Sequence, residues 1–435
     1  MISRRNVLLS TLFGTGYVGL RALATGLPAS LLLNPRRAFA DGNVPCPTGK
    51  AQFVIFNTSG QGDPINASVP GTYEDANISH SPDPTMAPGP LTMNGQKYTA
   101  AAPWATLPQT VLDRTCFFHL MTNTPVHPKE PDVLKLMHVA QPDEMFPSIL
   151  SRQLAGCLGT IQSQPISLGA SSPSEGLTYG GQALPIIPAL ALKATLTSPA
   201  GPLTDLQPLR DQALAQIYDI YRGSATKAQR DYIDSLVTSQ SQVRNIKQAL
   251  LDQLSSIVDN TPASQILAAI ALIQMKVTPV VAIHIPFGGD NHRDIGLATE
   301  ATETVAGVAS IASLMAQLGS AGLQDQVTLL SLNVFGRTLG PKNTDGRQHN
   351  PNHQVSLAIG KAFHGGVIGG VAPFADDYGA TSIDSKTGAS AQGGDVSALG
   401  SLAAFGQTAL VATGVDPTTA AKLVPNSKVI TGALA

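Results

Sequence analysis

Asp63, Asp290, His292, His349 and His353 carry carboxylate oxygens and imidazole nitrogens, and each follows a short apolar run that can be a buried strand. In an open α/β sheet, residues just past the strand ends converge at one edge, so side chains far apart in the chain can share a pocket. Mixed Asp and His donors suit zinc, manganese or iron; an all-oxygen cage would suit magnesium or calcium. One or two such ions would activate water and clamp an anionic ester. Arg337 would turn its guanidinium fork toward a phosphate or sulfate oxygen, with Lys342 as a point charge beside it. Thr122 and Thr124 follow another apolar run, Arg114 to Met121, where a small hydroxyl suits a nucleophile. The plainer role for either threonine is to cap a helix.

Each signal has a plain reading too. Asp290-x-His292 is a spacing that chance produces often. Pro351 lies between His349 and His353 and argues against chelation from one helix face. Asp63 could close an Asx-turn before Pro64. His119, inside an apolar run, and His138 read as satisfied core or surface histidines.

These residues need a frame. The stretch Gln326 to Gly370 supplies the middle of it: an apolar run, a polar loop with Asp345, Arg347, Gln348, His349 and His353, and a second apolar run. Three of the nine histidines fall there. Further strands are expected at 52–56, 114–121 and 277–287, with another starting near Gly159. Helices are expected at 144–158, 262–275, 299–318 and 395–413, the last N-capped by Asp395, and a short one begins at Asp416. Residues 204–258 show helical spacing of Leu209, Ile217, Ile220, Ile233, Leu236, Leu250 and Leu254, which predicts two or three amphipathic helices with buried stripes. Residues 67–110, rich in Pro, Gly, Asn and Thr, read as an irregular excursion or part of a lid. Residues 373–394 read as a hairpin or surface loop. The fold class is therefore α/β, with a large, mostly parallel sheet sandwiched between helices and a helical, loop-rich cap. One domain over 51–435 is expected, after a linker at 41–50.

The first forty residues read as an export signal. Ser3-Arg4-Arg5 precedes an apolar run, and Ala38-Phe39-Ala40 is a cleavage pattern before Asp41. Arg21, Pro28 and Pro35 interrupt the apolar region, so no lasting membrane span is expected in the mature form. The twin-arginine route, and its machinery as a partner, leads to the periplasm or outside the cell. It carries folded proteins, often already loaded with a metal. Those forty residues hold five arginines and no acid, so their loss makes a chain of formal charge −2 more acidic still. Such a protein lacks the basic footprint of a nucleic-acid binder. An apolar content of 43% excludes disorder. Cys46, Cys116 and Cys157 allow one disulfide and one free thiol in an oxidising compartment, with Cys116 the core candidate. Asn66-Ala-Ser68 and Asn77-Ile-Ser79 match the glycosylation pattern by chance.

The leader, Phe335-Gly-Arg-Thr338, Gly346-Arg-Gln-His349, the Gly365–Gly370 run, the Gly-Gly-Asp-x-His turn and Gly414-Val-Asp-Pro417 together resemble an exported bacterial family, domain of unknown function 1501. That family is similar to a branch of the alkaline phosphatase and sulfatase superfamily. The resemblance implies Asp63 as the first-strand metal ligand, Asp290 and His292 as the ligands of the Asp-x-His turn, and His349 as the histidine of a Gly-Arg-Asp-His motif. The chain departs at Gln348, where the pattern has Asp. A neutral amide is a poor substitute for a carboxylate in holding a second ion, so one ion, or a silent site, stays open beside two. Two functions follow: an exported metal-dependent hydrolase acting on small phosphate or sulfate esters, or a non-catalytic envelope protein that keeps the fold for binding or assembly.

Overall fold

The computed structural model describes Cys46 and residues 50–140, 144–160, 164–169, 176–197, 207–244, 248–340 and 345–435. The leader and Lys342 lie outside the described residues.

Seven strands form one sheet. They are β1 (Phe53–Ser59), β2 (Thr115–Leu120), β3 (Ile166–Ser167), β4 (Val280–Ile283), β5 (Val327–Asn333), β6 (Gln354–Ile359) and β7 (Gly366–Ile368). Their spatial order is β7-β2-β6-β5-β1-β4-β3. β1 pairs in parallel with β4 and β5, β4 with β3, and β2 with β7. β6 alone runs antiparallel to both neighbours, β2 and β5. Every residue of β1 is buried, as its unbroken apolar start requires. Alternate residues face opposite ways: Phe53 and Ile55 join one apolar cluster, Val54 and Phe56 another.

Helices contribute to both clusters. α1 (Phe146–Leu154), α2 (Ala189–Leu196), α3 (Gln207–Ser224), α4 (Lys227–Arg244), α5 (Gln248–Ser255), α6 (Pro262–Gln274), α7 (Ala298–Ser320), α8 (Ser401–Ala412) and α9 (Pro417–Leu423) follow in chain order. Ile270 of α6 and Leu314 of α7 pack in the cluster of Phe53. Phe146 of α1 and Phe405 of α8 pack in the cluster of Phe56. The architecture is mixed α/β with a large, mostly parallel sheet. No helix among the described residues is long and apolar enough to cross a membrane.

Several expectations need correction. The strand read over 277–287 is formed only at Val280–Ile283, because the next backbone N–H groups, of His284 and Ile285, donate to the side chains of Gln265 and Asn57 instead of a neighbouring strand. The strand expected near Gly159 is found at Ile166–Ser167. Residues 67–110 are not wholly irregular. They hold a hairpin, Pro88–Met93 with Gln96–Ala101, and seat Trp104 fully buried, 5.2 Å from the Phe117 ring centroid. The helix expected from Asp395 starts at Ser401. The Asp395 carboxylate instead accepts from the backbone N–H and hydroxyl of Ser385. Residues 204–258 do form three helices, and Leu236, Leu250 and Leu254 are buried, but Leu209, Ile217 and Ile220 are exposed. Helical spacing marks an apolar face without saying what covers it. Cys46 and Cys157 form the disulfide, and Cys116 is a buried free thiol, pushed up to about 12 by burial.

Candidate metal centre

The carboxyl ends of β1, β2, β4 and β5 lie at one edge of the sheet, since Ser59 is level with Asn333 and Asn57 with Ile283. β6 brings its start to that edge, with Gln354 opposite Leu120. The loop from β5 to β6 can therefore return directly, without a crossover helix. Four loops meet there, and they bring together His127, Asp290, His292 and His349. One ligand atom from each lies within 4.8 Å of all the others, a cluster that could hold a metal ion.

Hydrogen bonds set the tautomers. The Nδ1 of His127 faces the Gly60 carbonyl at 2.7 Å, and the Nδ1 of His349 faces the Pro125 carbonyl. A carbonyl only accepts, so the proton sits on Nδ1 in both rings and the Nε2 lone pair is turned inward. That is the arrangement by which outer partners orient ligating histidines. The two inward Nε2 atoms of His292 and His349 are 2.7 Å apart. His292 Nε2 is 3.4 Å from Asp290 Oδ1, and His127 Nε2 is 3.6 Å from Asp290 Oδ2. Ligands of a tetrahedral ion with bonds near 2.0–2.1 Å stand about 3.3 Å apart, so small movements suffice for binding. The Asp290 side chain is 41% exposed, so the mouth is open to solvent.

The charge states suit a cation. Burial pulls the Asp290 carboxyl upward, but the Arg337 hydrogen bond and charge, with His127 and His292, outweigh it and hold the group below its usual range. His349 is lowered to about 4, first by burial and then by the charges of Arg337, His127 and His292, against the hydrogen bond to Pro125. Its lone pair is therefore free at neutral pH. Phe335 forms a fully buried floor, its ring centroid 4.1 Å from that of His349 and 5.0 Å from that of His127. Gly62 passes over that ring with φ +70°; a Cβ there would stand 2.0 Å from a Phe335 carbon.

The remaining expected site residues are placed differently. Arg337 is fully buried, and its Nε and Nη2 groups are spent on protein acceptors. Nε donates to the Gly62 carbonyl, and Nη2 to the Gln61 carbonyl at 2.6 Å and Asp290 Oδ1 at 2.8 Å. Nη1 faces the Arg347 carbonyl and His292 Nε2, both at 3.5 Å. The fork expected to meet a substrate oxygen is spent on bracing the loops and Asp290. His353 is also buried, and both its nitrogens are engaged, by Asn66 Nδ2 at 3.2 Å and His119 Nδ1 at 2.9 Å. Asp63 is 1% exposed and accepts from Ser59 Oγ at 3.0 Å. Neither residue joins the four-residue group. Thr122 is fully buried, with no partner for its hydroxyl among the described residues, and Thr124 is 5% exposed. Neither caps a helix; the turn at His127 begins after Val126. Gln348 is exposed, and its backbone pairs with Thr338. Asn66 is buried and cannot be a glycan acceptor.

Sequence reasoning passed over His127. The signal was there: it stands in the loop after β2, beside Thr122 and Thr124, at the same sheet edge as the other donors.

Comparison with curated proteins finds no match to the chain. Residues 207–418, a stretch that includes Asp290, His292 and His349 but not His127, match the family model described as "Protein of unknown function (DUF1501)", and this supports placing the chain in that family.

Proposed function

We propose that the protein is an exported, metal-dependent hydrolase of small phosphate or sulfate esters, with a fold related to alkaline phosphatases and sulfatases. The observation that carries this reading is the open, solvent-facing group of three imidazoles and one carboxylate at a sheet edge. His127, His292, His349 and Asp290 Oδ2 would hold one ion, and the mixed N/O set suits zinc, manganese or iron. With a coordination position left for water beside these side chains, such an ion would supply Lewis acidity toward an ester oxygen and make that water a nucleophile at neutral pH. Arg337 holds Asp290 Oδ1, which leaves Oδ2 turned toward the cluster. Gly60 and Pro125 hold the His127 and His349 rings in the tautomer that offers Nε2. The deep burial of Thr122 and Thr124 favours water over a chain hydroxyl as the attacking group. The twin-arginine pattern of residues 3–5 fits export of a folded protein with its ion in place.

The test is hydrolysis of simple aryl phosphates and aryl sulfates by ion-loaded protein. Asp290→Ala should abolish turnover while the far-UV spectrum and melting transition persist. Undiminished turnover in that variant rejects the reading.

One observation favours a second reading, a non-catalytic envelope protein that keeps the fold for binding. Arg337 turns its guanidinium to the Gly62 and Gln61 carbonyls and Asp290 within the protein, so its fork is not held out toward a substrate anion. A broad ester screen without turnover, beside a specific co-purifying partner, would select it.

A further inference from the structure

Outside the cluster, the strongest polar feature is an ion pair shut away from water. Arg347 is 3% exposed and Glu300 0%. The pairing is two-pronged, Nε to Oε2 at 2.6 Å and Nη2 to Oε1 at 3.1 Å. Burying two charges is costly, and apolar residues of similar volume often serve stability as well or better. What this pair does that apolar side chains could not is tie four segments at fixed distances.

Glu300 stands in the first turn of α7, whose N-terminal N–H groups at Thr299 and Glu300 are held by the Asp294 carboxylate. Its Oε2 also accepts from Asn291 Nδ2 at 3.1 Å, and Asn291 lies between Asp290 and His292. Arg347 stands two residues before His349. Its Nη1 donates to the Thr338 carbonyl and its Nη2 to the Ser79 carbonyl, both at 2.9 Å. Its backbone N–H donates to the Asn291 carbonyl at 3.0 Å, and its own carbonyl faces Arg337 Nη1. Gly346 lets the loops touch: with φ +118°, a Cβ there would stand 2.4 Å from the carbonyl oxygens of Asn291 and His292.

We propose that Glu300 and Arg347 are the positioning pair of the metal centre, fixing the loop of Asp290 and His292 against the loop of His349 and so setting the spacing of the three donors. Neither residue touches the ion. They act through the backbone, from the rigid post of α7, as outer partners do when they tune a metal site. The inference rests on the metal reading for its consequence in affinity. The spacing it explains exists without any ion.

Arg347→Lys keeps the charge but loses the fork, which makes it an informative change at a two-pronged pair. Two measurements on the full-length protein decide the matter. In ion-free protein, long-range 1H–15N NMR of the imidazoles should find His349 protonated on Nδ1 and paired with His292 in the wild type. In Arg347→Lys it should show mixed tautomers and no such pairing. An unchanged spectrum overturns the proposal, whatever the protein does with metals. In Zn2+ titrations against a chromogenic chelator, Arg347→Lys and Glu300→Gln should each weaken binding about 10- to 100-fold. Leu254→Ala, a change at a buried core residue of α5, should leave Zn2+ affinity unchanged despite its own loss of stability. Affinity within two-fold of wild type in both pair variants overturns the proposal. No Zn2+ binding by the wild type counts against the metal reading alone, and the NMR result then decides this inference. Should Arg347→Lys fail to fold, Asn291→Ala removes a single hydrogen bond of the network and is held to the same two outcomes.

Discussion

The Nε2 atoms of His292 and His349 stand 2.7 Å apart although the residues are 57 positions apart in the chain. Nothing local forces this approach. It follows from β4 and β5 both lying in register beside β1, and from the two loops being bolted to α7 by Arg347 and Glu300.

Arg337 is the brace of the edge. Arg337→Lys keeps a charge but cannot reach the Gly62 and Gln61 carbonyls, Asp290 and the Arg347 carbonyl together. It should cost about 3 kcal/mol, as expected for breaking a buried hydrogen-bond network. The urea midpoint gives the value. A loss under about 1 kcal/mol would show that the network contributes little beyond its packing.

Thr122 should be dispensable. Its hydroxyl is buried with no partner among the described residues, so Thr122→Val removes a polar group at little cost and keeps the shape. The variant should be as stable as the wild type, or more stable by up to about 1 kcal/mol, with any ester turnover unchanged. A collapse in turnover with the fold intact would restore the threonine as a nucleophile.

Acid should weaken the fold through a second histidine pair. His119 donates from Nε2 to the Pro70 carbonyl at 3.0 Å, which leaves its Nδ1 to accept from His353. Burial lowers His119 to about 4, and burial together with His119 holds His353 well below the usual range. In the unfolded chain both titrate near 6.5, so below that pH the unfolded state binds more protons and stability falls as the solution is acidified. The His119 shift alone is worth about 3 kcal/mol once the pH is below about 4. Urea unfolding at a series of pH values checks this, and a flat stability between about pH 6.5 and 4.5 would contradict it.

Gly346 separates positioning from folding. Gly346→Ala places a methyl group against the Asn291 and His292 carbonyls and should spread the two loops. Ion affinity should fall by about ten-fold or more, with a stability loss of about 1–3 kcal/mol from the backbone strain. Unchanged affinity would mean that the loops accommodate the methyl group without moving the donors.

The central strands were legible because they are short apolar runs that end in polar loops, as at Phe53–Ser59 and Val327–Asn333. The direction of β6 was not, because an apolar run of six residues reads the same in either sense. Among the donors, Asp290, His292 and His349 stand where residues past strand ends should. His353 has the same credentials in sequence, yet its ring turns inward to His119 and Asn66, and only packing decides that. The exposure of Leu209, Ile217 and Ile220 was also out of reach, since periodicity shows a stripe but not its partner.

Elemental analysis of the purified, folded protein tests the metal centre most directly. The wild type should carry about one zinc, manganese or iron ion per chain, as a three-histidine, one-carboxylate set implies. A His292→Ala, His349→Ala double variant should carry none while still melting cooperatively. A wild-type protein that holds no ion under any loading condition, or a double variant that holds as much as the wild type, would contradict the account.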